Sequence, residues 1–467
     1  LTNERVVRRQ VFTRPGYLFS QSDFERSIRE IASMGQFDPE AIADPNKGWT
    51  MLPNTASNTV DLIYNVTEKP SSQLELSGGW GGNTFVATVG VSFNNFSTRR
   101  FFDKSAWRPV PLGDAQNLAI RFQTNGTYYT SLSASFMEPW LFGKKPTSLS
   151  LALYYTRQTN SYLALNIKNN DQFMEVYGFS AGIGKRLKWP DNYFVLYNQL
   201  SWQTYKLQDW FNYFMFNTGL SNNLSYTINQ QIYPRQGSDF TLSLQLTPPY
   251  SLLRHKDWGN LDANGNPTRV KNPKSIDYSL QNAATRYRWI EYHKWSFKGS
   301  IYTKLVGDLV LMARAQFGYL GYYNRKWGYS PFEGYIVGGD GMSGYNTYGS
   351  EVIALRGYSN YSLTETVYTE NGSQAYAGYL YDKFTLELRY PVVLQPQSTI
   401  FVLAFLEGGN CWSDIRKFNP FQIKRSAGVG VRVFLPMIGL LGVDWGWGFD
   451  DPTNGKSQFH FVIGQQF

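Results

Sequence analysis

The residues that could do chemistry in this 467-residue chain are few and poorly arranged for catalysis. Its three histidines, His255, His293 and His460, lie far apart and share no ligand spacing, so no metal site is expected on them. Gly339-Asp340-Gly341-Met342-Ser343-Gly344 formally matches a dinucleotide fingerprint, but without the strand–helix context that gives the motif meaning it reads as a loop. Asp262, Asn264 and Asn266 are spaced like half a calcium loop, and no Glu completes it. Cys411 is the single cysteine, which excludes an intrachain disulfide and a multi-cysteine zinc site. Paired carboxylates for hydrolysis cannot be picked out. The expectation is a protein that is not an enzyme and has no cofactor.

Composition points to a membrane. Aromatic residues reach 17%, with 33 Tyr, 32 Phe and 14 Trp, yet mean hydropathy is slightly polar at -0.37. A helical membrane protein shows apolar runs of about 18 residues or more. The longest such stretch here, Val433–Val443, is short and holds Pro436 and Gly439. Strands that show lipid on one face and water on the other account for a chain that is aromatic and Gly-rich but polar on average. The net charge of +9 is spread singly, apart from Arg5, Arg8 and Arg9, and suggests no nucleic-acid partner.

Two regions are expected. Over 1–70, Ser22-x-x-Glu25 is a capping-box pattern, and Phe24, Ile28, Ile31 and Met34 follow at helical spacing up to Gly35. A shorter helix over Asn3–Val11 precedes it, and Val60–Val66 alternates as a strand. One strand is not a sheet, so a first strand is expected before Leu1, as in a piece of a longer chain.

From 71 to 467 the period switches to two. About sixteen segments, the first near 73–80 and the last at 458–467, predict an all-β transmembrane barrel of antiparallel strands. Phe384, Leu386, Leu388 and Tyr390 alternate with Thr385, Glu387 and Arg389, so the charges fall in the polar phase. A cation facing lipid near mid-membrane costs ~2–4 kcal/mol, which the phasing avoids. An even strand number returns both ends to the side of the soluble segment, the periplasm. The long connections, 249–292 and 322–375, then fall outside. An excursion at 94–114 on the periplasmic side has no account from sequence.

Three features carry a family likeness. Val352-Ile353-Ala354-Leu355-Arg356-Gly357-Tyr358 lies in a long outer loop, the chain ends Phe459-His460-Phe461-Val462-Ile463-Gly464-Gln465-Gln466-Phe467, and a helix–helix–strand segment precedes the barrel. The chain resembles the BamA family, central subunits of the outer-membrane barrel-assembly machinery, in which a last periplasmic POTRA repeat precedes a 16-stranded barrel. Arg356-Gly357-Tyr358 matches the family's sixth-loop tripeptide. Tyr233-Pro234-x-x-Gly237-Ser238, Leu435-Pro436-Met437-x-Gly439 and Glu407-Gly408-Gly409 resemble its turn and strand motifs.

An Arg folded back into a lumen needs carboxylate partners. Alternation puts Glu387 inward, whereas both faces of 399–407 are apolar and leave Glu407 open. The resemblance implies that both acids face Arg356. It implies also an insertase for unfolded outer-membrane clients, with accessory lipoproteins docking on 1–70 and outer-membrane lipids around the barrel. The seam would bring Leu74, Leu76, Gly78 and Gly79 of the first strand to Phe459, Phe461, Ile463, Gly464 and Phe467 of the last. Glycines weaken that pairing and leave an edge for a client strand. The alternative is an exporter of the two-partner secretion type, which would share the loop motif, or another outer-membrane translocation pore.

Overall fold

The computed structural model describes residues 2–463 except 70–71, 82–83, 127–128, 144, 160–171, 190–193, 209–213, 228–233, 254–287, 326, 331–332, 340–349, 369–373, 396–397, 436–438 and 451–456. It gives the backbone alone over short stretches that include 75–81, 84–86, 214–227 and 462–463. The sequence motifs at 262–266 and 340–344, His255, Tyr233, Pro436, Met437, Gly464 and Phe467 therefore lie outside the described residues. The chain divides into two compact units, one of Leu1–Glu75, Val89–Phe122 and Ser133–Ala152, the other of Leu76–Thr88, Gln123–Leu132 and Leu153–Phe467. No described helix is long and apolar enough to cross a membrane.

The N-terminal region forms α1 (Glu4–Arg8), α2 (Gln21–Ser33), α3 (Pro39–Ala43), β1 (Trp49–Asn54) and β2 (Thr59–Tyr64). The cap of α2 is Ser20, two residues before the Ser22 that the capping-box pattern selects; its hydroxyl accepts from the Asp23 amide. Gly35, at φ +78°, follows the helix and allows the left-handed turn that ends it. Ile31, Phe37 and Ile42 are buried together with Ile28, Met34 and Tyr64 packed against them. The expectation of a single strand is corrected. Trp49–Asn54 pairs antiparallel with Thr59–Tyr64, and the Trp49 ring packs edge-on against Phe24 at 5.0 Å. The pattern of β1 hides it from a period-two reading, because Pro53 interrupts it and four of its six residues are exposed.

The barrel sheet has sixteen antiparallel strands. In chain order they are β3 (Ser72–Gly81), β4 (Thr84–Phe96), β5 (Gln116–Thr124), β6 (Tyr129–Glu138), β7 (Thr147–Thr159), β8 (Phe173–Arg186), β9 (Phe194–Gln208), β10 (Phe214–Thr227), β11 (Gly237–Leu246), β12 (His293–Lys304) and β13 (Val310–Gly321). The outer loop that follows carries β14 (Gly334–Val337) paired parallel to β15 (Ser350–Ile353), and β16 (Thr366–Tyr368) paired to β17 (Gln374–Tyr376). The sheet resumes with β18 (Leu380–Gln395), β19 (Ser398–Trp412), β20 (Lys424–Leu435), β21 (Gly439–Gly448) and β22 (Ser457–Ile463). Neighbours in sequence are neighbours in the sheet throughout, with β13 joined to β18 across the loop. β3 and β22 are its two ends, and among the described residues no ladder joins them.

Alternation holds over 383–390 of β18. Lys383, Thr385, Glu387 and Arg389 are buried, while Phe384, Leu386, Leu388 and Tyr390 are exposed on the outer face. That strand starts at Leu380, and Tyr376 before it belongs to β17. It also runs past Pro391, where the register against β19 shifts. A bulge is where a residue without an N–H is tolerated inside a sheet. The doubly apolar reading of 399–407 also has its reason. Phe401, Leu403 and Phe405 point inward, but into a packed cluster with Tyr302, Val310, Met312 and Leu440 and not toward water.

The 94–114 excursion acquires a role in the fold. Asp114, buried, accepts hydrogen bonds from Ser97 Oγ at 2.6 Å and Asn3 Nδ2 at 2.9 Å and pairs with Arg5. The Asn3 amide donates to Gly113 O at 2.9 Å, and Gln36 Nε2 donates to Asn94 O at 2.6 Å. These bonds fasten α1 and the start of the chain to the first strand connection on that side. Burial raises the Asp114 pKa, but the bonds from Ser97, Arg5 and Asn3 outweigh it and hold the carboxyl below its ordinary value. The stabilisation is therefore fully present above the ordinary carboxylate range and is lost as pH falls through the lowered value. Asp114→Asn is expected to weaken the attachment by about 1–2 kcal/mol, since Arg5 is partly in water. Amide hydrogen exchange at residues 2–6 should accelerate in the variant at neutral pH, and in the unaltered protein only in acid.

Candidate functional site

Arg356 is fully buried, with its guanidinium against the inward face of the sheet. Its Nη2 donates to Glu387 Oε1 at 2.6 Å and to Glu407 Oε1 at 2.8 Å, and its backbone amide donates to Glu407 Oε2 at 2.9 Å. Nη1 lies 3.5 Å from Asp444 Oδ2. The guanidinium sits 3.7 Å over the Phe405 ring, the top of the apolar cluster that fills this face. Burial by itself favours loss of the Arg356 proton. Glu407, Glu387 and Asp444 outweigh it and hold the group above its usual value.

The acids are shared with other cations. Arg389 bonds Glu387 at 2.7 Å, and Lys383 Nζ bonds Glu407 at 3.0 Å and the carbonyl of Ala354 at 2.7 Å. Arg432 grips Asp444 with two bonds of 2.7 Å, the paired geometry that a planar guanidinium makes with a carboxylate. Four cations thus meet three carboxylates, drawn from the loop and from β18, β19, β20 and β21.

The next two residues fix the loop backbone. Gly357 has φ +88°, and a Cβ there would stand 2.8 Å from the Gly448 amide nitrogen. The reciprocal holds on the wall: a Cβ at Gly446 would stand 2.7 Å from the Gly357 nitrogen, and one at Gly448 2.6 Å from its oxygen. The inward phase of β21 is Gly442, Asp444, Gly446 and Gly448, so the loop lies against bare backbone with one carboxylate to meet it. The Gly357 amide donates to His460 Nε2 at 2.8 Å, which makes Nε2 the unprotonated ring nitrogen. Tyr358, buried, donates its hydroxyl to Arg425 O at 2.7 Å. One residue further, Ser359 Oγ accepts from Gln458 Nε2 at 2.6 Å. His460 and Gln458 belong to β22, so the tripeptide is bonded to the terminal strand of the sheet.

Of the residues singled out in sequence, Arg356, Gly357, Tyr358, Glu387 and Glu407 come together in this seat. Leu74, Phe459 and Phe461 are exposed on the end strands, and Leu76, Gly78, Gly79 and Ile463 lie on those strands, where the backbone alone is described. Sequence reasoning misses Asp444, Arg432, His460 and Lys383. The first three are each signalled by a lone polar side chain between apolar neighbours, as in Val443-Asp444-Trp445 or Phe459-His460-Phe461, which marks the inward phase. Lys383, beside Asp382, has no such signal. Neither the spacing nor the composition says which inward charges meet. Among the described residues there is no cluster of His, Cys, Asp or Glu suited to a metal. His293 lies on β12, packed against Tyr319 and Tyr323, far in the chain from any other described histidine.

Comparison with known proteins fits this picture. Residues 111–467 match the Omp85 superfamily domain, and residues 1–69 match the POTRA model, described as a surface antigen variable number repeat. Among solved structures, BamA from Haemophilus ducreyi lacking POTRA domains 1–3 aligns with 98% of this chain and 81% of its own, at 18% identity and a TM-score of 0.58. CdiB from Escherichia coli aligns with 99% of this chain and 73% of its own, at 12% identity and a TM-score of 0.55. These identities show a shared fold. A candidate outer membrane protein assembly factor of Treponema pallidum (strain Nichols) is 24% identical over 147 residues, which is 31% of this chain and 15% of that protein. Fold and matches together define an outer-membrane β-barrel protein whose N-terminal segment lies in the periplasm. The chain belongs to the Omp85 superfamily.

Removing Arg356 would take away the one cation that Glu387, Glu407 and Asp444 share and leave each with its second partner alone. Arg356→Ala is expected to cost about 3–5 kcal/mol of loop attachment, the usual cost of removing one partner from a buried ion pair. Limited proteolysis within 322–379 of the folded protein should become rapid. Gly357→Ala, which adds one methyl group against the Gly448 backbone, should have the same effect with every charge retained. Protease resistance equal to the unaltered protein in both variants would show that the loop is held elsewhere.

Proposed function

We propose that this protein folds and inserts other β-barrel proteins into the outer membrane, acting at the edges of its own first and last strands. The observation that carries the reading is the sheet that ends at β3 and β22 with no ladder joining them among the described residues. A strand edge is a row of N–H and C=O groups, and in lipid such groups must find partners. A client strand arriving unfolded in the periplasm would pair along β3 by β-augmentation. The client's own closure would then supply the driving force, because it satisfies the client's backbone. On this reading the protein needs no nucleotide and no catalytic residue. Residues 1–70 would receive accessory lipoproteins of an assembly complex, and the seam near Leu74, Leu76, Phe459 and Phe461 would act as a lateral gate.

A second reading has a specific observation behind it. The fold likeness to CdiB is nearly as close as that to BamA, so an exporter of the two-partner type shares the architecture. The two readings differ in what must move. Cysteine pairs joining 73–80 to 457–463, placed away from Gln458 and His460 and made with Cys411→Ser, would lock the seam while leaving the loop alone. Insertion of an unfolded barrel client into vesicles holding the locked protein should stop and should return on reduction. Insertion at the unlocked rate would exclude the gate, and passage of an unfolded substrate across the vesicle wall with the seam locked would favour export.

A further inference from the structure

The excursion between β4 and β5 does more than fasten the N-terminal region, because its residues 98–109, most of them exposed, are built to a different specification. The segment is compact. Asp103 caps a short 3-10 turn over Lys104–Ala106, Trp107 bridges to Pro111, and the Leu112 amide donates to Ala106 O at 3.1 Å. Arg100 braces it with bonds to Asp103 at 3.2 Å and to Leu112 O at 3.3 Å. On this frame Phe101, Phe102 and Trp107 form one group of tilted and edge-on rings, with Phe101 5.5 Å from Phe102 and 5.6 Å from Trp107. All three are exposed, Phe102 to 94%. The Trp107 indole N–H is bonded to Phe101 O at 3.1 Å, so the ring can enter an apolar medium without stranding a donor. Arg99, Lys104 and Arg108, also exposed, alternate with the rings along the segment, and Asp103 is the single acid among residues 98–109.

Contiguous exposed aromatics held rigidly in place are unfavourable in water and mark a surface that meets something apolar. Position says what that is. The segment begins shortly after β4 and ends shortly before β5. Those strands carry the outward Val89, Ile120 and Phe122 of the lipid-facing belt. Hydrogen bonds to Asn3 and Gln36 put the segment at the periplasmic ends of the strands. Aromatic rings flanked by cations at that level suit the boundary between acyl chains and headgroups, and the cations favour anionic ones.

We propose that residues 98–109 are a membrane-interface anchor, with Phe101, Phe102 and Trp107 inserted into the periplasmic leaflet and Arg99, Lys104 and Arg108 on anionic phospholipid headgroups. The proposal rests on the outer-membrane barrel and not on the insertase reading, so it stands or falls apart from client assembly. The test is an environment-sensitive fluorophore on Phe102→Cys, in full-length protein with the buried Cys411 replaced by Ser. The carrier vesicles are phosphatidylcholine with or without phosphatidylglycerol. The label should show a blue-shifted emission and lose intensity when lipids brominated near the headgroup are present. Both effects should be stronger with phosphatidylglycerol, and should weaken in high salt and in Lys104→Glu/Arg108→Glu. The same label on Ser57→Cys in the N-terminal hairpin should report water throughout. A label at 102 that reports water in both vesicles would overturn the proposal. So would one shielded only after a soluble periplasmic protein or an unfolded client is added, and that result would assign the face to a protein.

Discussion

The Arg356 guanidinium is cut off from bulk water, and everything around it is arranged to replace water. A buried charge is tolerated only when opposite charges and hydrogen bonds take over its solvation, at a desolvation cost of several kcal/mol per ion. Here Glu387, Glu407 and Asp444 do so, and each is itself held by a second cation: Arg389, Lys383 or Arg432. Removing any one changes the solvation of those it touches. The seat is therefore a network whose members are worth more together than pairwise counting suggests. It binds the outer loop to β18, β19, β20 and β21, and Gly357 extends the attachment to β22 through His460.

That extension ties the loop to the end of the sheet where pairing stops. His460 and Gln458 both commit inward polar groups to the loop, next to Phe459 and Phe461, which face outward. The terminal strand is thus held from inside by the tripeptide and by its ladder with β21, while its other edge has no ladder among the described residues. A rigid strand with an unpaired edge is a better template than a frayed one, because the entropy of ordering it has already been lost.

How much of this is legible in the sequence depends on whether the information is local. Alternation is local, so most of the barrel strands can be read from it, and so can the inward phase of Glu387. β1 escapes because exposed residues and Pro53 leave no pattern to see. Glu407 is ambiguous for a different reason. Leu403 and Phe405, in the same strand, are apolar yet inward, because the interior there is packed, whereas an alternation reading assumes a wet lumen. The pairing of Arg432 with Asp444, or of Gly357 with His460, depends on strand register and on the path of a long loop. Neither is encoded within a short window. The 94–114 excursion is visible as an interruption, but its bonds to Asn3 and Gln36 join positions 58 or more residues apart.

The loop seat also bears on which of the two functional readings demands less of the molecule. An export pore must clear its interior, which here means drawing Arg356 away from Glu387, Glu407 and Asp444 and stripping Tyr358 from its burial among Leu355, Tyr335 and Leu363. Separating a buried ion from its partners costs about 3–5 kcal/mol, before the apolar contacts are counted. Strand exchange at β3 needs none of that. It breaks no bond of the seat, and it gains a ladder of backbone hydrogen bonds in a medium where unsatisfied groups are costly. A seat this heavily bonded therefore favours work done at the edge of the sheet over work done through its middle.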